Sequence, residues 1–458
     1  VKTEKNFSIL CIQPWITDFA AYNLWAEPIG ILTVAAALAE AGCRIRYIDC
    51  LRSEREENPA PKEDGRSKYI RTAISKPGPL SFVPRRFARY GMSEEEFVAR
   101  VKSAKDVDAV LVTSMMTYWY PGVRSVIMLV KAALGARVPV ILGGVYAKLC
   151  REHAVRTSGA DLVYTGDLSS DLFRMIEEAA GKRLPRAPRI PPCGMNDTYD
   201  FPDHPAPMHQ LSSQNKFFAL LTQRGCPFAC SYCASSLING AVARRPLAAL
   251  IDEIERYTKL LGTKNLVVYD DAFLYQSELH AVLLLEEIAS RVPGLSIRFP
   301  NGVHARFLTP GVARLLRRAG TKDIWIGLET CDEDLQRRTG GKTSSGDYRK
   351  AVTRLRDAGF DRREIGTYVL AGLPGQDAGD VERTLEFVNR SGGSPYLSYF
   401  SPIPGTAVWE DAVRSSPFPV AEEPLFHNKS VYVLGSVGFT AARLKALKAA
   451  ALAFRKEA

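Results

Sequence analysis

The sequence has no apolar run approaching the roughly 20 residues that a membrane span requires. No short apolar segment with a small-residue cleavage site opens it, so the expectation is a cytoplasmic protein. Nine cysteines, an odd number without the spacing of a disulfide framework, exclude a secreted scaffold and fit a reducing compartment. The net charge is +10, yet Lys and Arg form no dense run of five or six. The charge therefore reads as a solvated basic surface, with an acidic substrate or a cofactor phosphate as the second explanation; nucleic acid is not an expected partner. At 458 residues, 46% of them hydrophobic, the chain can build two or three ordinary domains.

What is present in concentrated form is thiol. Cys226, Cys230 and Cys233 stand at CxxxCxxC spacing just after the apolar run 217–221. Structural zinc takes four closed ligands, commonly as two CxxC pairs or Cys with His, and no second pair lies nearby. Three soft ligands on one loop leave a metal position open, which suits an iron–sulfur cluster with one iron free for a small molecule. The loop, with Gly225, Pro227 and Tyr232 around the cysteines, resembles that of the radical S-adenosylmethionine (SAM) superfamily. The resemblance implies a 4Fe-4S cluster on the three cysteines and SAM on the fourth iron.

Upstream, short apolar strands alternate with helices. Strands are expected near 7–12, 45–49, 108–113, 138–144 and 161–164, with helices over 31–41 and 123–133, which argues for a parallel, doubly wound (Rossmann-like) α/β sheet. Ligands of such sheets bind beyond the strand carboxyl ends. A polar insertion at 52–105 interrupts the pattern and is expected to be an ordered, mostly helical excursion. Prolines crowd the stretch that follows, so residues 171–214 read as a linker between a first domain at 1–170 and a second at 215–410. Its Cys193, His204 and His209 have no ligand spacing. In the second domain six strands, near 217–222, 266–271, 296–299, 323–327, 364–370 and 396–400, alternate with helices as a partial (β/α)6 barrel, whose site belongs at the strand carboxyl ends. A helical tail is expected over 411–458.

The order of Glu27-Pro28-Ile29-Gly30-Ile31-Leu32, Gly143-Gly144-Val145-Tyr146-Ala147 and 159–167 ahead of the cysteine loop resembles the cobalamin-binding-domain radical SAM enzymes. That resemblance implies cobalamin over the strand ends, against Thr117, Tyr118 and Trp119 and against Gly143, Gly144, Val145 and Tyr146. The Asp-x-His-x-x-Gly of many cobalamin proteins is missing, and no His precedes His153, so a lower-face imidazole is not expected. In the barrel the same resemblance assigns SAM to Tyr232, Asp271, Asn301, Gly327, Glu329, Arg338, Lys342 and Gly372. The carboxylates would hold its amino or ribose groups, Arg338 or Lys342 its carboxylate, and Gly372 the turn beside the adenine.

The implied activity is methylation of an unactivated carbon through a 5′-deoxyadenosyl radical. The implied partners are a small-molecule or peptide substrate and an electron donor such as flavodoxin or ferredoxin. Radical rearrangement, cyclisation or oxidation in the same cleft is the alternative. An RNA methylthiotransferase and a non-catalytic cobalamin sensor stand further back; Cys11 and Cys50 end the first two strands, but a third cysteine for a second cluster is not evident.

Overall fold

The computed structural model describes residues 7–188, 204–212, 216–435 and 438–456. The described residues before 217, together with 422–425, form one compact unit, and the remaining described residues form another.

The first unit is built on a five-stranded sheet: β1 (Ser8–Gln13), β2 (Arg44–Asp49), β3 (Ala109–Val112), β4 (Val140–Leu142) and β5 (Leu162–Val163). All pairings are parallel, in the order β5-β4-β3-β1-β2. All six residues of β1 are buried, as expected of a central strand covered by helices on both faces. Its side chains alternate between two cores. Leu10 and Ile12 share one core with Val126 and Ile127 of α2 (Tyr120–Leu134), while Ile9 and Cys11 share the other with Ala35 and Leu38 of α1 (Ile29–Glu40). The strand order reverses between β1 and β3, and their carboxyl ends open the crevice where such sheets take ligands.

The insertion departs from expectation. Most of its residues lie outside regular elements, held by short antiparallel pairings in which Tyr22–Asn23 pairs with Ser67–Lys68 and Ala88–Tyr90 pairs with both Ile16–Asp18 and Arg71–Ala73. One helix, Glu94–Ser103, follows, capped by the Ser93 side chain. Strands of two or three residues carry no readable alternation, and their partners lie tens of residues away, so pairing rather than local pattern decides them. Helix α3 (Ser170–Ala180) belongs to the first unit. Cys193, Pro191, Pro192 and Pro202 fall outside the described residues.

The second unit has the six expected strands: β6 (Phe218–Leu220), β7 (Asn265–Val268), β8 (Ser296–Arg298), β9 (Ile324–Glu329), β10 (Ile365–Ala371) and β11 (Ser394–Tyr399). They form two parallel sheets, β6-β7-β8 and β9-β10-β11. Parallel bridges at Ile297–Thr321 and Val303–Ile326 carry the curve across the gap. Helices α4 (Leu247–Leu261), α5 (Ala281–Arg291), α6 (Pro310–Arg318), α7 (Ser345–Asp357) and α8 (Ala378–Arg390) return the chain between strands. The last two begin on reciprocal capping boxes, Ser344 with Asp347 and Asp377 with Asp380, which satisfy the first turn's open N–H groups. Helix α9 (Ala441–Lys456) packs on β11 and α8. Among the described residues no helix is long and apolar enough to cross a membrane.

Candidate active site

The cysteine loop leaves β6 at the barrel's carboxyl-end rim. The Cys233 N–H donates to the Cys230 carbonyl at 3.0 Å, and the Ser231 N–H donates to the Thr339 carbonyl at 3.2 Å. Cys226 and Cys230 are half-buried and Cys233 is exposed. Burial pushes the Cys226 thiol up to about 11, with the neighbouring Cys230 adding to the shift after the opposing Phe228 backbone hydrogen bond. Burial also raises Cys230, while Lys342 works to lower it. Among the described residues no three His, Cys, Asp or Glu side chains stand as a preformed metal cage. The fit to an iron–sulfur cluster is therefore one of ligand chemistry: three soft thiols on one short loop, electrostatically coupled, that ligation would gather.

The SAM candidates surround this loop. Asp271, just past β7, accepts from the Asn239 amide at 2.7 Å and from the Ser235 hydroxyl, so it fastens the short helix Ser235–Asn239 that follows the cysteines. Asn301 is exposed and donates to the Tyr269 carbonyl at 2.6 Å. Glu329 ends β9 with φ +66° and accepts from the Lys342 ammonium at 2.6 Å. A Cβ on Gly327 would lie 2.8 Å from both Glu329 Oε1 and Lys342 Nζ, so any larger residue would have to displace the tips of the pair. Lys342 stands 5.6 Å from the Tyr232 ring centroid. Burial works to lower its pKa, but Glu329, then Tyr232 and Cys230, outweigh burial and hold the ammonium well above its ordinary range. The Arg338 guanidinium lies over Gly375, 3.1 Å from where a Cβ would be. At Gly372 the nearest neighbour is the Tyr432 ring, which a Cβ would strike at 2.4 Å.

Asp270 and His304 stand among the polar residues expected at the strand ends, but three contacts around this rim escape sequence reasoning. Phe228, inside the cysteine loop, packs on His304 at 4.8 Å between centroids, and burial, then Lys342 and Arg306, lowers His304 to about 3. Gly340 packs so closely that a Cβ would sit 2.9 Å from the Cys230 Cα. Below the rim, Asp270 is buried and accepts from the Thr222 N–H at 2.7 Å and from its hydroxyl, which His280 Nε2 meets at 3.0 Å.

Burial raises Asp270 from 3.8 to about 7, against the hydrogen bonds from Thr222. The folded chain thus holds this proton more tightly than the unfolded one. The group's contribution to stability is greatest below about pH 4, falls between about pH 4 and 7, and is constant above that, a change of a few kcal/mol at about 1.4 kcal/mol per unit. Asp270→Asn keeps an acceptor for the Thr222 N–H and removes the titration. The melting temperature of the variant relative to wild type is expected to rise as pH goes from 4 to 7; a constant difference would contradict the assignment.

In the first unit the cobalamin candidates lie on the turns after β3 and β4. Thr117 and Tyr118 are buried in the 3-10 turn leading into α2, and Trp119 donates to Asp18 at 3.1 Å. Gly143 and Val145 are half-buried and Gly144 exposed, whereas Tyr146 is buried with its hydroxyl 2.7 Å from His153 Nδ1. Ser114 ties the two turns together, donating to the Gly143 carbonyl at 2.8 Å and accepting from the Tyr146 N–H at 3.1 Å. The exposed glycine rim suits a flat ligand approaching backbone, while Tyr118 and Tyr146 serve as its packed support. His209, assigned no role from its spacing, is buried against Glu27 at 3.0 Å.

Residues 220–388 match the radical SAM superfamily model. An uncharacterized methyltransferase of Pyrococcus horikoshii is 24% identical over 223 residues, covering 46% of this chain and 47% of the relative. A threonylcarbamoyladenosine tRNA methylthiotransferase of Thermotoga maritima is 27% identical over 189 residues, covering 40% and 43%. The chain thus spans about half the length of these curated relatives. A solved structure of the radical SAM methyltransferase TsrM from Kitasatospora setae, with cobalamin and a [4Fe-4S] cluster bound, aligns with 98% of this chain and 91% of its own, at 16% identity and TM-score 0.67. Residues 220–388 carry the match to the radical SAM superfamily, and the chain as a whole shares the fold of this cobalamin-bound methyltransferase.

Proposed function

We propose that this protein is a cobalamin-dependent radical SAM methyltransferase acting on an unactivated carbon of a small molecule or peptide. The observation that carries the reading is the joint one: a CxxxCxxC loop at the barrel rim in a chain aligned along nearly all its length with a cobalamin-bound methyltransferase. With cluster, SAM and cobalamin bound, the site supplies one-electron cleavage of SAM and delivery of a methyl group to carbon, the electron coming from a flavodoxin- or ferredoxin-type donor.

The chain's own part is to hold and exclude. Cys226, Cys230 and Cys233 ligate the cluster and leave one iron open. Glu329 and Asp271 meet the cationic and hydroxyl groups of SAM; Arg338 meets its carboxylate as a fork-shaped donor. Phe228, within the cysteine loop, and His304, packed on it, would help exclude water from a cluster held by the three thiols. The turns at Ser114–Trp119 and Gly143–Tyr146 carry the corrin.

The test is SAM turnover by protein reconstituted anaerobically with iron and sulfide, with and without hydroxocobalamin, under a strong one-electron reductant. S-adenosylhomocysteine, the by-product of methyl donation, is expected to require the corrinoid. Equal formation without it would contradict methyl transfer through cobalamin.

A further inference from the structure

The Glu329–Lys342 pair is more elaborately built than a cofactor clamp needs. The parallel register of β9 and β10 shifts between Gly327 and Glu329, and such an irregularity re-aims a side chain. Glu329 then takes φ +66°, a left-handed conformation costing a non-glycine residue on the order of 1 kcal/mol or more. At Gly327 the absence of a Cβ leaves the tips of both side chains undisplaced. All three features serve one outcome, a 2.6 Å ion pair whose side chains are 11% and 18% exposed.

The pair also lies against the cysteine loop. Thr339, three residues before Lys342, accepts from Ser231 at 3.2 Å; Gly340 packs on Cys230; and the ammonium faces Tyr232, between the second and third cysteines. Charges shielded from water act strongly on one another, and cluster potentials respond to nearby charge.

We propose that this ion pair sets the reduction potential of the cluster: Lys342 favours addition of one electron from the donor, and Glu329 opposes it. Each is a positioning group for charge and exchanges neither electron nor proton. The inference rests on the radical SAM reading above. If that reading fails, wild-type protein loads no cluster, a result distinct from a cluster that loads with an unmoved potential.

The test is an anaerobic redox titration of the reconstituted protein, followed by electron paramagnetic resonance without SAM, so that a role in holding SAM does not enter. Lys342→Met is expected to lower the equilibrium constant for reduction at least tenfold, about 59 mV for a one-electron couple. Glu329→Gln is expected to raise it by a similar factor, and Lys342→Arg to stay within about threefold of wild type. Opposite signs are the signature, because a merely structural role moves both variants the same way. If Lys342→Met loads no cluster, Glu329→Gln, which keeps the cation, carries the test. Shifts of the same sign, or a Glu329→Gln potential unchanged or lower, would overturn the proposal.

Discussion

Replacing Cys226, Cys230 or Cys233 by Ala, one at a time, is expected to remove the cluster and lower reductive SAM cleavage by about a thousandfold or more, since residues that act as one unit fail together. The expectation follows from the ligand count. A loop with three thiols already leaves one iron open, and a loop with two leaves another iron without a ligand. The loop's fold does not depend on the thiols, because the Cys230–Cys233 and Ser231–Thr339 backbone bonds hold it. The variants should therefore melt near wild type while losing iron, sulfide and the visible absorbance of the cluster. Cys331→Ala is the control. That thiol is half-buried beside the Thr384 hydroxyl, 3.5 Å away, and its loss should leave iron content unchanged. Retention of cluster and turnover in any of the three Ala variants would remove the foundation of the assignment.

The second large effect concerns the glycine pair after β4. Gly144 has φ +90°, and a Cβ there would lie 2.4 Å from the Ser114 carbonyl oxygen and 2.7 Å from its nitrogen. Both contacts are backbone, so neither can swing aside. Gly144→Val should destabilise the first unit by roughly 2–4 kcal/mol, from the positive φ and the overlap together. Gly143 differs, because the nearest atom to its missing Cβ is the Tyr164 carbonyl oxygen at 3.9 Å. Gly143→Val should leave the melting temperature nearly unchanged. If the corrin lies on this rim, the new side chain fills the approach to the backbone and corrinoid affinity falls at least tenfold. The two variants together separate a glycine needed by the fold from one needed by the ligand. Equal effects on stability, or an unchanged corrinoid affinity in Gly143→Val, would contradict this placement.

The barrel was legible because several of its strands carry clear apolar or β-branched runs, such as 217–222 and Ile365–Ala371, between helices long enough to show their period, from Leu247–Leu261 to Ala378–Arg390. The doubly wound sheet was legible for the same reason, with apolar runs such as Ser8–Gln13 and Ala109–Val112. The insertion was not legible: ribbons of two and three residues gain their structure from distant partners such as Ile16–Asp18 for Ala88–Tyr90. Within the site, the cysteines declare their chemistry by spacing alone. Glu329 and Lys342 carried charge but not their mutual contact, since a left-handed carboxylate at the end of a strand is set by the register shift beside it. Glu27 and His209 meet across 182 residues, a separation that leaves no trace in local pattern. Phe228 resembled any apolar loop residue until His304 was found packed on it.

The measurement that bears most directly on the central claim is the corrinoid content of the protein produced anaerobically in cobalamin-fed cells, read by absorbance and by mass spectrometry after denaturation, alongside its iron content. Near one cobalamin per chain with an intact cluster is the predicted result, and it would turn the substrate search toward methylated products. No cobalamin in protein whose cluster is intact would contradict methyl transfer and leave the first unit as a platform for substrate.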